Sequence, residues 1–257
     1  MEKSELIQKI MQKKEFSQLP MKDVEMAFEK FSGKKLNDYQ KVKLTRNFLR
    51  RIFSSFSSRK VFSAKDKGTE WYLMKHKSTK ERLPFYKEVY FRSFSRLKKE
   101  LSVIDLGAGI NGFSYSFFEG LGHKINYLAV EAMGQFVDAM NNFFKKEKIK
   151  GEAFHLSLFE IEKLKELIEK TPRPRIVFLF KVIDSLEIVK RNYSKELINE
   201  IMPLTDRIVV SFATKSLGAR KKFSVQRGWF LRFVNENFKI IDDFELNGER
   251  YIIFEKA

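Results

Sequence analysis

From Leu101 onward the chain alternates short apolar runs with amphipathic stretches, and that alternation leaves few folds open. Leu101–Leu106, Ile125–Val130, residues 152–157, Arg175–Phe180 and residues 206–212 read as buried strands. Helical patterns separate them: a stretch to about Gly120, then 133–148, 160–170 and 184–201, with 224–236 following the last strand of the series. Phe238–Leu246 and Glu249–Phe254 flank Asn247-Gly248, a dipeptide that suits a tight hairpin turn. The expectation is a Rossmann-like α/β domain, with a mostly parallel sheet covered on both faces and a carboxyl-terminal antiparallel hairpin.

The first strand runs into Asp105-Leu-Gly-Ala-Gly-Ile-Asn-Gly112, a literal G-x-G-x-x-G, and an acid, Glu131, ends the second strand. Two cofactors fit such a turn, a dinucleotide and S-adenosylmethionine (SAM). The carboxylate of Asp105, two residues before Gly107, would repel a pyrophosphate and suits a cofactor carrying a sulfonium and an amino group. No other residue set resembles a hydride-transfer site. The final hairpin matches by analogy the class I SAM-dependent methyltransferase fold, whose last strand inserts antiparallel. In that reading Gly107 and Gly109 let the backbone pass close to the cofactor. Asp105 organises the loop or reaches the methionine ammonium, and Glu131 accepts both ribose hydroxyls. An NAD-dependent oxidoreductase is the rival.

The amino-terminal part differs in texture. Residues 1–100 carry 26 Lys and Arg against 12 Asp and Glu, whereas residues 101–257 carry 24 against 21, so most of the net charge of +17 sits in the first part. Val24, Ala27, Phe28 and Phe31 recur at helical spacing, as do Val42, Phe48, Leu49, Ile52 and Phe53 behind a cap at Asn37-Asp38. A small all-α basic domain is expected to about residue 58, ended by Ser54–Ser58, then an aromatic and basic linker over 59–78. A helix from Ser78-Thr79 to Glu100 should follow, with Glu81 completing a capping box. The domains are therefore 1–78 and 79–257. The basic face (Lys13, Lys14, Lys34, Lys35, Arg50, Arg51, Arg59, Lys60) fits nucleic-acid phosphates, with an anionic membrane surface as the alternative. With no Cys, disulfides, thiolate metal sites and Cys nucleophiles are excluded, and three scattered His make a metal site unexpected. No apolar run approaches a membrane span, and the charged first residues do not resemble a secretion signal, so a cytoplasmic protein is expected.

Absences narrow the methyl acceptor. C5 methylation of a pyrimidine usually needs the missing Cys. The Asn/Asp-Pro-Pro-Tyr/Phe motif common in exocyclic amine methylation is replaced after the fourth strand by Phe180-Lys181-Val-Ile-Asp184-Ser-Leu-Glu187. Lys181, Asp184 and Glu187 could imitate a set acting on a ribose hydroxyl, or form a solvated helix face. Guanine N7 needs no base, because its lone pair is already the nucleophile and positioning suffices. Two more segments, His76-Lys-Ser-Thr-Lys-Glu-Arg82-Leu-Pro-Phe-Tyr86 and Ser211-Phe-Ala-Thr-Lys-Ser-Leu-Gly-Ala-Arg220, complete a pattern. Together with the Asp105 turn and Phe180–Glu187, they resemble the aminoglycoside-resistance 16S rRNA (guanine-N7) methyltransferases over roughly residues 70–257.

The resemblance implies a helical domain that docks on the assembled small ribosomal subunit and a SAM domain that methylates a guanine near the decoding site. Arg82 would pair with the SAM carboxylate, and Ala108, Ala132, Ser157, Leu158 and Lys181 would belong to the cofactor side. Lys215, Ser216 and Arg220 would face the substrate, and Trp71, Phe85, Tyr86 and Phe212 are candidates to stack a flipped base. Arg82 has a plainer reading as a helix-surface ion pair with Glu81 or Glu88. Ala213 stands where the family has Pro, Ala219 replaces its second Gly, Lys221-Lys222-Phe223 replaces a Gly-Lys-Gly-Met run, and Ser157-Leu158 stands where an acid is expected after the third strand. Those departures, the missing Cys and the many Lys and Phe are consistent with a distant branch, archaeal or thermophilic. An rRNA-binding assembly factor with weak or no turnover is the reading outside enzymology.

Overall fold

The computed structural model describes residues 1–54, 67–214 and 227–257. Three helices open the chain: α1 (Lys3–Met11), α2 (Met21–Ser32) and α3 (Asp38–Leu49), the last running into a π-helical turn at Arg50–Ser54. Asn37 caps α3 as expected, its Oδ1 accepting from Gln40 N at 2.9 Å while Gln40 Oε1 accepts from Asn37 N at 3.1 Å. Val24, Ala27 and Phe28 are buried on α2, and Val42 and Leu49 on α3, the faces that their spacing indicated.

The expected helix from Ser78 to Glu100 is not continuous. It is divided into α5 (Lys77–Arg82), a 3₁₀ turn at Leu83–Phe85 and α6 (Tyr86–Ser93), preceded by a short α4 (Thr69–Leu73) where a loop was expected. Pro84 supplies no amide to the helical ladder, which explains the break. The capping box at Ser78-Thr79 does not form. His76 occupies the cap position without a side-chain capping bond, Thr79 Oγ1 donates to Leu73 O at 2.5 Å, and Glu81 is drawn to Lys181.

The sheet is β1 (Glu100–Leu106), β2 (Lys124–Glu131), β3 (Gly151–His155), β4 (Arg175–Phe180), β5 (Arg207–Ala213), β6 (Phe238–Leu246) and β7 (Glu249–Lys256), in the order β3-β2-β1-β4-β5-β7-β6. β1 to β5 are parallel, and β7 inserts antiparallel between β5 and β6. Asn247 and Gly248 both take positive φ (48° and 80°) at the hairpin, the geometry a two-residue turn between twisted strands requires. Class I methyltransferase topology is thus present as expected.

Side chains alternate across each central strand. Val103, Tyr127 and Phe178 enter one apolar layer, and Ile104, Leu128 and Val177 the other. α9 (Ile161–Glu169), α10 (Ile183–Val189), α11 (Tyr193–Ile201) and α12 (Gly228–Asn237) cover the second face. The stretch over 184–201, expected to be mostly helix, is α10 and α11, divided where Asn192 adopts φ 64°. The first face is covered by α6, by α7 (Ser116–Glu119), by α8 (Gly134–Lys146) and by the amino-terminal helices. Phe16, Leu19, Val24 and Phe28 belong to the same apolar cluster as Met133 and Phe136, and Gly134 N donates to Gln18 O at 3.4 Å. The apolar core therefore runs across the 78/79 boundary without interruption.

Candidate functional site

The carboxyl ends of β1, β2 and β4 meet at one cavity. After Leu106 the chain turns over Gly107 (φ 72°) and Gly109 (φ 57°), and the amides of Gly107 and Ala108 donate to Val130 O at 2.8 and 3.1 Å. A Cβ on Gly107 would stand 2.6 Å from Val182 Cγ2, so only a glycine lets this turn approach the segment after β4 so closely. Asp105 lies beneath the turn, 1% exposed, and its Oδ2 accepts from Asn111 Nδ2 at 2.7 Å and from Tyr127 OH at 2.6 Å. Burial raises its pKa, tempered by those two donors.

Glu131 ends β2 inside the cavity. Its Oε2 accepts from Gly109 N and its Oε1 from Met133 N, both at 2.8 Å, which locks the carboxylate to the glycine turn. Burial raises its pKa too, opposed by the backbone amides of Met133, Gly109 and Ala132. His76 sits over Gly109. Burial, with Arg82 and Lys181 nearby, pushes its pKa down to about 4, so the imidazole is neutral at pH 7. Leu158, Phe159, Phe136, Val182 and Leu186 supply apolar walls, and Asp23 of α2 reaches the same lining.

On the β4 side lies an ionic network. Glu249, at the start of β7, accepts from Arg82 Nη2 at 2.6 Å and from Ser211 Oγ at 2.5 Å, and its Oε2 lies 3.1 Å from Lys181 Nζ. Lys181 also donates to Glu81 at 2.7 Å, and Arg82 lies over the Phe180 ring at 4.4 Å. Burial opposes the charge on Glu249, but Arg82 and Lys181 outweigh it and hold the carboxyl below its ordinary range.

Of the expected cofactor residues, Gly107, Gly109, Glu131, Ala132, Leu158 and Lys181 line the cavity. Asp105 and Ala108 lie outside that lining, Asp105 holding the turn through Asn111 and Tyr127. Ser157 is fully buried, its Oγ accepting from Phe159 N at 3.1 Å. Arg82 is 2% exposed, outside the lining and committed to Glu249, so it is not the surface ion pair with Glu81 or Glu88. Lys181, Asp184 and Glu187 do not converge. Asp184 pairs with Arg227, and Glu187 caps the start of α11 by accepting from Asn192 N and Ser194 N.

Tyr86 and Phe212 are core residues, 0% and 3% exposed, which corrects their candidacy as stacking platforms: a ring closed in on both faces has none to offer a base. Trp71 and Phe85 are half-buried and outside the cavity lining. Lys215, Ser216 and Arg220 lie outside the described residues, as do Arg59 and Lys60. Among the described residues no group of His, Asp and Glu could hold a metal. Asp23 and His76 were missed as cavity residues, although His76 opens one of the motifs quoted above.

Comparison with known proteins decides the family. Residues 41–252 match the model of the FmrO ribosomal RNA methyltransferases. The chain belongs to that family. A curated relative, the 16S rRNA (guanine(1405)-N(7))-methyltransferase of Frankia casuarinae, is 27% identical over 153 residues, 57% of this chain and 49% of the relative. The chain thus matches about half the length of that relative. Among solved structures, the 16S rRNA methyltransferase RmtF, in complex with S-adenosyl-L-homocysteine, superposes with a TM-score of 0.80 at 20% identity over the whole of both chains. The 16S rRNA methylase RmtB follows at 0.78 and 19% identity, over 100% of this chain and 99% of its own. An rRNA methylase from Escherichia coli gives 0.77 at 18% identity, over 99% of each chain. At these identities the likeness establishes the fold. The family match contains every described cavity residue discussed here except Asp23, which precedes it.

Proposed function

We propose that this chain is a SAM-dependent methyltransferase that modifies N7 of a guanine in small-subunit (16S) rRNA, near the decoding site of the assembled 30S subunit. The observation that carries the reading is a glycine turn at the end of β1 locked to a carboxylate at the end of β2 across one cavity, in a sheet whose seventh strand runs antiparallel. The names of the relatives, 16S rRNA methylases and a guanine-N7 methyltransferase, support the substrate.

The cavity fits the cofactor. Gly107 and Gly109 leave backbone where side chains would clash, and Glu131 presents two fixed acceptors for a ribose diol. When bound, SAM supplies an electrophilic methyl group on a sulfonium. The chain's part is to hold and orient. His76 stays neutral over the turn, so it adds no positive charge to repel a sulfonium. Lys181 is neutralised by Glu81 and Glu249. Guanine N7 carries no proton to remove, so this positioning chemistry needs no general base.

We assign residues 1–78 to docking. Lys13, Lys14, Lys34, Lys35 and Arg51 are exposed, and Lys9, Lys13, Lys43, Arg46 and Arg50 line a groove between α1 and α3 beside Tyr39, which is 73% exposed. Arg50 is partly committed to Glu15. Such a face positions rRNA phosphates without reading sequence. No helix among the described residues is long and apolar enough to cross a membrane, and a ribosomal substrate puts the protein in the cytoplasm.

The test is methyl transfer from tritiated SAM to small subunits and to free rRNA, with mass-spectrometric mapping of the product nucleotide. Label on a guanine N7 in the decoding region of the subunit is expected. Absence of label in both substrates, or label on a pyrimidine or a ribose, overturns the proposal.

A further inference from the structure

We propose that Asp23, carried by the amino-terminal helix α2, is a further cofactor-binding residue whose carboxylate accepts the exocyclic amine of the cofactor's adenine. The inference rests on the SAM reading above and extends it to a part of the chain outside the family match.

The first argument is an unmet hydrogen bond. Asp23 is 4% exposed, and its Oδ2 has no hydrogen-bond partner. None of the ion pairs among the described residues involves it. Burial pushes its pKa up to about 7 against a lowering influence from the Ser157 hydroxyl, with the neighbouring acids Glu131 and Glu160 adding to the rise. A buried carboxyl with an idle oxygen costs free energy unless something fills it, and such orphans concentrate at functional sites.

The second argument is position. Asp23 and Glu131 supply the carboxylates of the described cavity lining, and the Glu131 oxygens, each fixed by one backbone amide, are the ones assigned above to the ribose diol. The glycine turn follows β1, Glu131 ends β2, and Ser157, the neighbour of Asp23, follows β3. β1, β2 and β3 lie side by side in the sheet. Stepping outward from β1 to β3 therefore passes from the methionine end through the ribose to the base. At that outer end Leu158 and Phe159 offer apolar walls, which suit the faces of a flat purine. Adenine carries one exocyclic donor, its amine, and an idle carboxylate oxygen is its complement.

The third argument is that α2 is anchored. Val24, Ala27 and Phe28, beside Asp23, are buried in the apolar cluster that also holds Met133 and Phe136 of the sheet domain. Asp23 is therefore held against the cavity by the core that joins the two parts, and the basic helical module completes the cofactor site as well as offering a docking face.

The experiment is titration calorimetry on the full chain with S-adenosylhomocysteine and with its 6-desamino (purine) analogue, for wild type, Asp23→Asn and Asp23→Val. Losing a hydrogen bond to a charged group should weaken the analogue by about 10- to 100-fold in the wild type. Asp23→Val should bind the two ligands within about threefold of each other, with Asp23→Asn between. If wild type binds both ligands equally, or if Asp23→Asn and Asp23→Val keep the full wild-type ratio, the assignment of Asp23 is wrong while the cofactor reading stands. If wild type binds neither ligand, the cofactor reading itself falls. Should Asp23→Val fail to fold, the wild-type ratio and the Asp23→Asn ratio still decide.

Discussion

Glu249→Gln isolates the charge on which the buried network depends. The change keeps shape and leaves an acceptor for Arg82 and Ser211, but removes the anion that Arg82 and Lys181 share. The Arg82 side chain is 1% exposed and that of Glu249 4%, so water cannot take over as counter-dipole. What remains around the guanidinium is Tyr251 OH at 3.2 Å, Asn111 Oδ1 at 3.3 Å and the Phe180 face. Breaking a buried pair on one side costs about 3–5 kcal/mol, and the retained acceptor argues for the lower end. For a chain of this size about 1 kcal/mol moves Tm by about 2–4 °C, so a drop of about 6–12 °C is expected in calorimetric melts at pH 7.

The pH dependence follows from the sign of the shift. The Glu249 carboxyl is held below its ordinary 4.5, so its stabilisation is present above that value and is lost as pH falls through the lower folded value. The gap between wild type and variant should close on acidification. The double variant Arg82→Met/Glu249→Gln, which removes the stranded cation, should recover much of the loss. A Glu249→Gln protein that melts within about 2 °C of wild type at pH 7 would refute the claim that Arg82 depends on this anion.

Two further outcomes are expected. Gly107→Ala, which forces a methyl group onto Val182 Cγ2 and places alanine at φ 72°, should leave the circular dichroism spectrum intact and weaken S-adenosylhomocysteine binding by at least about tenfold; affinity within about threefold of wild type would show that the turn need not be so close. Lys9→Gln, Lys13→Gln and Lys43→Gln together should reduce the slope of log affinity for rRNA against log salt by about 2–3, since each lost phosphate contact removes about 0.7–0.9; an unchanged slope would take the α1/α3 groove out of the docking face.

How far the sequence could be read depended on whether the decisive contact was local. The central strands β1, β2, β4 and β5 are largely apolar because both sheet faces are covered, and such stretches stand out without any partner being known. Asn247-Gly248 carries its own turn conformation, and the Asp105–Gly109 turn its own glycines. The break in the helix over 78–100 is local as well, since Pro84 lacks the amide that a continuous helix needs. Arg82 and Glu249, by contrast, stand 167 residues apart, and no spacing rule pairs a helix arginine with the first residue of a last strand. Tyr86 and Phe212 likewise looked like platforms because their sheltering neighbours come from distant elements.

Asp23 shows the limit most sharply. It is an acid in the first turn of α2, the place where a helix dipole ordinarily favours an acid on an exposed face. Its sequence neighbours give no sign that this turn is pressed against the end of β3 more than 130 positions away, beside Ser157. Dipole compensation alone would leave the carboxylate in water with its pKa near the ordinary value, whereas burial beside Glu131 and Glu160 pushes it up to about 7. That burial sets the residue apart from an ordinary first-turn acid: the fold retains an idle carboxylate oxygen in a cavity wall, a cost that helix stability does not require and that a hydrogen-bond donor seated in the cavity would offset.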